Sequence, residues 1–316
     1  MIYQSENLAV IDLGTNTFHL IIYSILDGKI DQVLYQKSLP VKLKEGGWKE
    51  GMISEDAFLR AELAIQSHCN VLKDYEVSRF KAIGTEGLRI AKNSKEFLHL
   101  LAFKYDLEVE IISGQQEAKY IYYGVMKYHK INGNVLIMDI GGGSVEFIIA
   151  DQQNIYWKKS IPIGASKLKN RFHVEDKISE DEQEDIQRYL KQELTVVFEQ
   201  SNKYAIDTLV GTSGSFETIY DVLNYKRGKQ YDSLWNLYPI CVNAYNQLHQ
   251  KFVSSSFDER LAMDGMTQFR ADMMVVSSIL IQTIISKLKF NNILLARTAI
   301  KEGVAYELLN PSDISA

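Results

Sequence analysis

The stretch NVLIMDIGGGSVEFIIA, residues 134–150, decides how this chain of 316 residues is read. An apolar strand ends in Asp139, a glycine turn with a hydroxyl follows, and a second apolar strand leaves it. Residues 8–23, LAVIDLGTNTFHLIIY, repeat that plan around Asp12. Apolar β-branched runs bounded by Gly, Asn and Asp are strand and turn signals. The two aspartates stand 127 positions apart, from 12 to 139. That spacing is the size of a domain and far longer than a solenoid period. Two similarly built units are therefore expected, residues 1–128 and 129–297, with HKINGN (129–134) at their boundary. A terminal helix over 298–309, in a tail 298–316, is expected to pack back on the first unit.

The rest of the chain alternates strand and helix signals, which places it in the α/β class. Helices are predicted over 54–73, with Ser54 as N-cap and Glu55 and Asp56 in the first turn, over 94–105, capped by Asn93 or Ser94, and over 115–128. Strands are predicted over 80–84, 108–113, 207–210 and 293–296. Ser179 and Glu182 form an S-x-x-E capping box. Ile186, Leu190, Leu194, Val197 and Phe198 then mark one face of a single long helix.

Composition narrows the function classes. Hydrophobic residues are 46% and charged residues 24%, the mix of a folded chain rather than a disordered one. The net charge of −5 lacks the basic excess of a nucleic-acid coat. Cys69 and Cys241 lie in no CxxC pair, so two buried, reduced thiols are expected rather than a metal or disulfide site. The most apolar run, 273–285, has 13 residues with polar interruptions. A membrane span needs about 20, so a buried helix is expected there and no membrane association. The N-terminal residues show no basic leader, and Glu6 and Asp12 break any signal core, so a cytoplasmic location is expected.

The chemistry concentrates in a few places. Three glycines in a row, Gly141, Gly142 and Gly143, let backbone N–H groups converge on an anion, or else serve a tight hairpin turn that needs positive φ. No Lys-Ser/Thr follows them, and VEFIIA continues as a strand, so neither a Walker A loop nor a Rossmann fingerprint fits. With Ser144 they match Gly14, Thr15, Asn16 and Thr17 of the first unit. Two such loops suit the two ends of a phosphate chain. Asp12 and Asp139, at the strand ends, suit Mg²⁺, which takes one or two carboxylates and keeps its waters; a lone Asp there is also an ordinary turn former. Glu117 stands in the first turn of its helix, on a stripe with Tyr120, Ile121 and Gly124. It is a candidate general base, or an acid that complements the helix dipole. Glu146 is placed to assist at the metal or the water. Arg89, Lys42 and Lys44 are candidates for phosphate oxygens. The turn GTSGS, residues 211–215, is a candidate anion site or adenine pocket.

Together these segments resemble the exopolyphosphatase and guanosine pentaphosphate phosphatase family, within the actin, sugar kinase and heat-shock ATPase superfamily. AVIDLGTNTFHLII is similar to the family's first phosphate loop, with Thr15 and Thr17 where Ser is usual. GTEGLRIAKN carries over Arg89 and Asn93, and IISGQQEAKYIYYGV puts the catalytic carboxylate on Glu117. VLIMDIGGGSVEFII carries over Asp139, the glycines, Ser144 and Glu146. Weaker echoes are IPIGASKL (161–168), RADMMV (270–275) and AIKEGV (299–304). The resemblance implies two ribonuclease H-like (actin-like ATPase) domains, with mixed sheets flanked by helices and an active site in the interdomain cleft. It implies Mg²⁺-assisted release of terminal phosphate from polyphosphate or guanosine pentaphosphate; guanosine tetraphosphate counts among the ligands, and a homodimer is left open. Gln116, Lys119 and Lys44 depart from the family pattern. An ATP-dependent phosphotransferase of the same superfamily, or a non-catalytic polyphosphate or alarmone sensor, is the alternative.

Overall fold

A computed structural model describes residues 5–46, 48, 51–174, 176–225, 231 and 233–313. The chain divides into two compact units, 1–120 with 300–316, and 121–299. The division falls inside the helix Gly114–Met126, and 298–299 stay with the second unit. Residues 1–4, at the expected leaderless start, and 314–316 of the expected tail lie outside the described residues.

In unit 1 the chain runs β1 (Ser5–Leu13), β2 (Thr17–Leu26) and β3 (Lys29–Pro40) as an antiparallel meander. β4 (Arg79–Gly84) then pairs parallel to β1, and β5 (Val109–Ile111) parallel to β4. The order is β3-β2-β1-β4-β5. Unit 2 repeats it with β6 (Asn134–Ile140), β7 (Val145–Ala150), β8 (Ile155–Ile161), β9 (Ile206–Thr212) and β11 (Asn292–Ala296), adding β10 (Leu237–Ile240) antiparallel at the edge. Its order, β10-β11-β9-β6-β7-β8, is the same meander-then-crossover plan. The two expected α/β units with mixed sheets flanked by helices are present.

The first core packs β1, β2 and β4 against the helices Glu55–Asp74 and Ser94–Tyr105, through Ile11, Phe18, Ala61, Ile65, Phe97 and Leu101. Ser54 caps the former, its hydroxyl accepting from Ala57 N–H. Asn93 is the N-cap of the latter, but its carboxamide pairs with both backbone groups of Ile53 instead. The terminal helix Ile300–Leu309 belongs to this unit. The Tyr23 hydroxyl donates to Glu302 at 2.8 Å, and Lys81 Nζ and Tyr120 OH reach Glu307 at 2.7 and 2.5 Å.

The second core centres on Met274–Leu288, the expected buried helix. Among the described residues, no helix is long and apolar enough to cross a membrane. The capping box at Ser179 forms as expected, but the predicted long helix is interrupted. Leu194, at φ −90° and ψ 1°, separates Glu180–Glu193 from Thr195–Ser201, while all five apolar positions of the stripe stay buried. Periodicity survives such a break because each segment still turns its apolar side to the core. Cys69 is buried as expected, but Cys241 is exposed, standing before the first turn of Val242–Ser254. Burial pushes the imidazoles of His129 and His249 down to about 4. They rest against Thr298 Oγ1 at 2.8 Å and Ser278 Oγ at 3.1 Å.

Candidate active site

Both glycine turns are built alike. In unit 1, Gly14 N–H donates to Thr17 C=O at 3.1 Å; in unit 2, Gly141 N–H donates to Ser144 C=O at 3.0 Å. Gly14 and Gly141 do not have positive φ, so the left-handed turn foreseen as an alternative is not what selects them. A Cβ there would lie 2.9 Å and 3.1 Å from those same carbonyl oxygens.

The next segment of each unit ties down the loop carbonyls. Val41 and Lys42 N–H donate to Asn16 C=O, and Leu43 N–H to Thr15 C=O, at 2.8–2.9 Å. In unit 2, the N–H groups of Gly164, Ala165, Ser166 and Lys167 take the carbonyls of Gly143, Gly141 and Gly142 at 3.0–3.2 Å. Those donors open the helix Ala165–Phe172, within the IPIGASKL echo. A Cβ on Gly164 would come 2.5 Å from Gly142 C and O, so only glycine lets the helix approach this closely. With the carbonyls engaged on one side, a peptide plane turns its N–H to the other, which is the requirement for an anion nest.

The loop hydroxyls are engaged within their own units. Thr15 Oγ1 donates to Glu86 at 3.1 Å, and Thr17 Oγ1 bonds His19 Nε2 at 2.6 Å. Ser144 Oγ donates to Glu146 Oε1 at 2.7 Å, and Ser160 Oγ donates to the same oxygen at 2.6 Å. Glu146 is 1% exposed. It lies directly across the β6/β7 ladder from Asp139, itself buried. Like charges at directly opposed positions repel. Two buried carboxylates side by side, ringed by hydroxyls, are an all-oxygen donor set that suits a hard dication such as Mg²⁺. The residues thus fit the metal expected at Asp139. Asp12 holds the equivalent strand position in unit 1, where the opposed residue is His19.

Glu117 enters the first turn of Gly114–Met126 after β5 and is 8% exposed. Arg89 Nη1 meets its Oε2 at 3.3 Å and donates to Ile112 C=O at 2.7 Å. The structure thus brings together the predicted base and the predicted arginine. The lysines diverge from expectation. Lys44 Nζ is taken by Glu86, at 2.9 and 2.7 Å, over the Trp48 ring, and the exposed Lys42 reaches Glu45 at 3.6 Å. Lys44 is thereby held by a buried carboxylate rather than presented to phosphate.

Three groups escaped the sequence reading. Glu86 is a buried acid beside the first loop. Thr212 and Ser213 donate hydroxyl hydrogen bonds to Asp139. Arg270, half-buried, packs its guanidinium against Gly214, and burial lowers its pKa against the opposing charge of Glu217. The only sequence signals were a strand followed by GTSGS and the RADMMV echo. In the GTSGS turn the Thr212 and Ser213 hydroxyls serve Asp139, Ser215 Oγ donates to Ser277 Oγ at 3.2 Å, and the Phe216 ring and Arg270 pack against Gly211 and Gly214.

Comparisons with known proteins place the chain's family and fold. The description of the Ppx/GppA phosphatase family matches residues 21–311. The crystal structure of an exopolyphosphatase from Cytophaga hutchinsonii superposes with a TM-score of 0.92 at 34% identity, covering 97% of this chain and 98% of that one. A Haemophilus influenzae relative with a provisional exopolyphosphatase name is 28% identical over 96% of this chain and 91% of its own length. A guanosine-5'-triphosphate,3'-diphosphate pyrophosphatase from Vibrio vulnificus is 27% identical over 96% of this chain, which spans 59% of that longer protein.

Proposed function

Because the chain belongs to the Ppx/GppA phosphatase family, we propose that it is a phosphoanhydride hydrolase that releases terminal phosphate from inorganic polyphosphate or guanosine pentaphosphate. The observation that carries this reading is the matched pair of glycine turns with their carbonyls tied off, one in each unit. The substrate range follows the names of the Cytophaga hutchinsonii and Vibrio vulnificus relatives.

In each unit the loop N–H groups, Gly14 to Asn16 or Gly141 to Gly143, would hold phosphate oxygens. Glu117 accepts the proton of the attacking water. Arg89 fixes the Glu117 side chain through Oε2 and neutralises charge that develops on the transferred phosphoryl. Asp12 in unit 1, and Asp139 with Glu146 adjoining it in unit 2, are the carboxylates that would hold Mg²⁺, which would supply charge neutralisation to bound phosphate. Phosphoryl transfer asks mainly for positioning and electrostatic stabilisation, so this set is sufficient. Phosphate release from polyphosphate and from guanosine pentaphosphate, with and without Mg²⁺, tests the reading. Release from at least one substrate, dependent on Mg²⁺ and about 10²–10⁴-fold slower in Glu117→Gln, is expected. Tight binding of both without release would overturn it in favour of a sensor.

A further inference from the structure

The parallel register of β6 and β9 sets Thr212 beside Asp139, 73 residues away in sequence. Thr212 Oγ1 donates to Asp139 Oδ2 at 2.6 Å. The Ser213 hydroxyl, a single donor, lies 2.9 Å and 2.8 Å from Oδ1 and Oδ2. Thr212 is fully buried, so its hydroxyl is committed to this contact.

Ser213 reaches the carboxylate from an unusual backbone, with φ at 65°. Residues with a Cβ adopt the left-handed region reluctantly, and glycine adopts it freely. A glycine at 213 would therefore suit the backbone better than serine does. What serine adds is the hydroxyl on Asp139, and strain of this kind collects at functional sites. The carboxylate it holds is opposed across the ladder by Glu146. Repulsion between the two would swing a loosely held Asp139 away.

We propose that Thr212 and Ser213 are positioning residues that hold Asp139 in one orientation for a divalent cation, Ser213 at the expense of backbone strain. This rests on the reading of Asp139 as a metal carrier and names what keeps it in place.

The test uses the full chain and Mn²⁺ as probe, followed by loss of the free aqua-ion's electron paramagnetic resonance signal, beside the melting temperature in EDTA. Ser213→Ala and Ser213→Gly both lose the hydroxyl, but only the glycine relieves the backbone. Both variants are expected to bind Mn²⁺ at Asp139 about 10-fold more weakly, in the range for removing an outer hydrogen bond to a metal ligand. In EDTA the glycine variant is expected to melt about 2–4 °C above the alanine variant. Thr212→Val is expected to weaken Mn²⁺ binding similarly, and Thr212→Ser to restore it. Wild-type Mn²⁺ affinity in both Ser213 variants, affinity that falls only in the less stable one, or equal melting of the two overturns the proposal. Asp139→Asn serves as the control on the underlying reading. Wild-type Mn²⁺ affinity in that variant overturns the metal role of Asp139 and the brace with it, whereas loss there with none in the Ser213 and Thr212 variants removes the brace alone.

Discussion

The two hairpins carry one frame and two chemistries. In unit 1, the β2 residue opposite Asp12 is His19, held by Thr17 and by Ser38, its ladder partner on β3. In unit 2, the β7 residue opposite Asp139 is Glu146, held by Ser144 and by Ser160, its ladder partner on β8. The hydroxyl clamps coincide position for position; the clamped group does not. An imidazole beside an aspartate can share a proton with it, whereas a carboxylate beside an aspartate repels it unless a cation intervenes. The backbone and its clamps are shared between the units, and a single clamped side chain, His19 or Glu146, differs.

Several substitutions would break or sharpen that contrast. The largest effect is expected for Glu117→Gln, which removes the proton acceptor while keeping the shape. Turnover should fall about 10²–10⁴-fold, with the melting temperature unchanged. Next, Glu146→Gln should weaken Mg²⁺ binding about 10–100-fold by calorimetry, whereas His19→Gln should leave it within about twofold. Equal losses in both variants would show that the units do not differ in the way described.

A smaller effect belongs to pH, chiefly through two histidines of unit 2, although burial also lowers the pKa of His68 in unit 1. His129 and His249 titrate near 4 when folded, below the ordinary imidazole value, because burial disfavours the charged ring. The unfolded chain therefore takes up protons first as pH falls. Stability is full above about pH 6.5 and is lost toward pH 4, about 2 kcal/mol for each histidine at pH 5. Denaturation followed by Trp157 and Trp235 fluorescence should show the loss, and His249→Gln should remove its share. The smallest effect is expected at the loop lysines. Lys44→Met breaks a buried pair and should cost about 1–3 kcal/mol, while Lys42→Ala, at an exposed pair, should change stability by less than about 0.5 kcal/mol.

What the sequence discloses follows from how local each feature is. The paired strands, both glycine turns and the capping box at Ser179 are written within a dozen residues, so pattern alone reaches them. Glu117 is legible because helix start and inward stripe lie in one segment. The Asp139 brace is not, because it depends on β6 lying beside β9, and nothing in GTSGS says which strand will neighbour it. The same holds for Glu86, which meets Lys44 from 42 residues away. Only a packed structure could show that Lys44 is consumed by a carboxylate. Thr15, Thr17 and Ser144 carry the same lesson, since a hydroxyl in a loop signals capacity to bond but not its partner.

The helix Ile300–Leu309 completes unit 1 by way of Glu302 and Glu307, although 179 residues of unit 2 intervene. During synthesis, the first 120 residues therefore leave the ribosome without the partner of Tyr23, while Lys81, which Glu307 also meets, already has Glu110. Unit 2, continuous in the chain, can mature first and must wait for its neighbour. Unit 2 is thus expected to be complete before unit 1, and a nascent chain stalled before residue 300 would leave Tyr23 of β2 without Glu302.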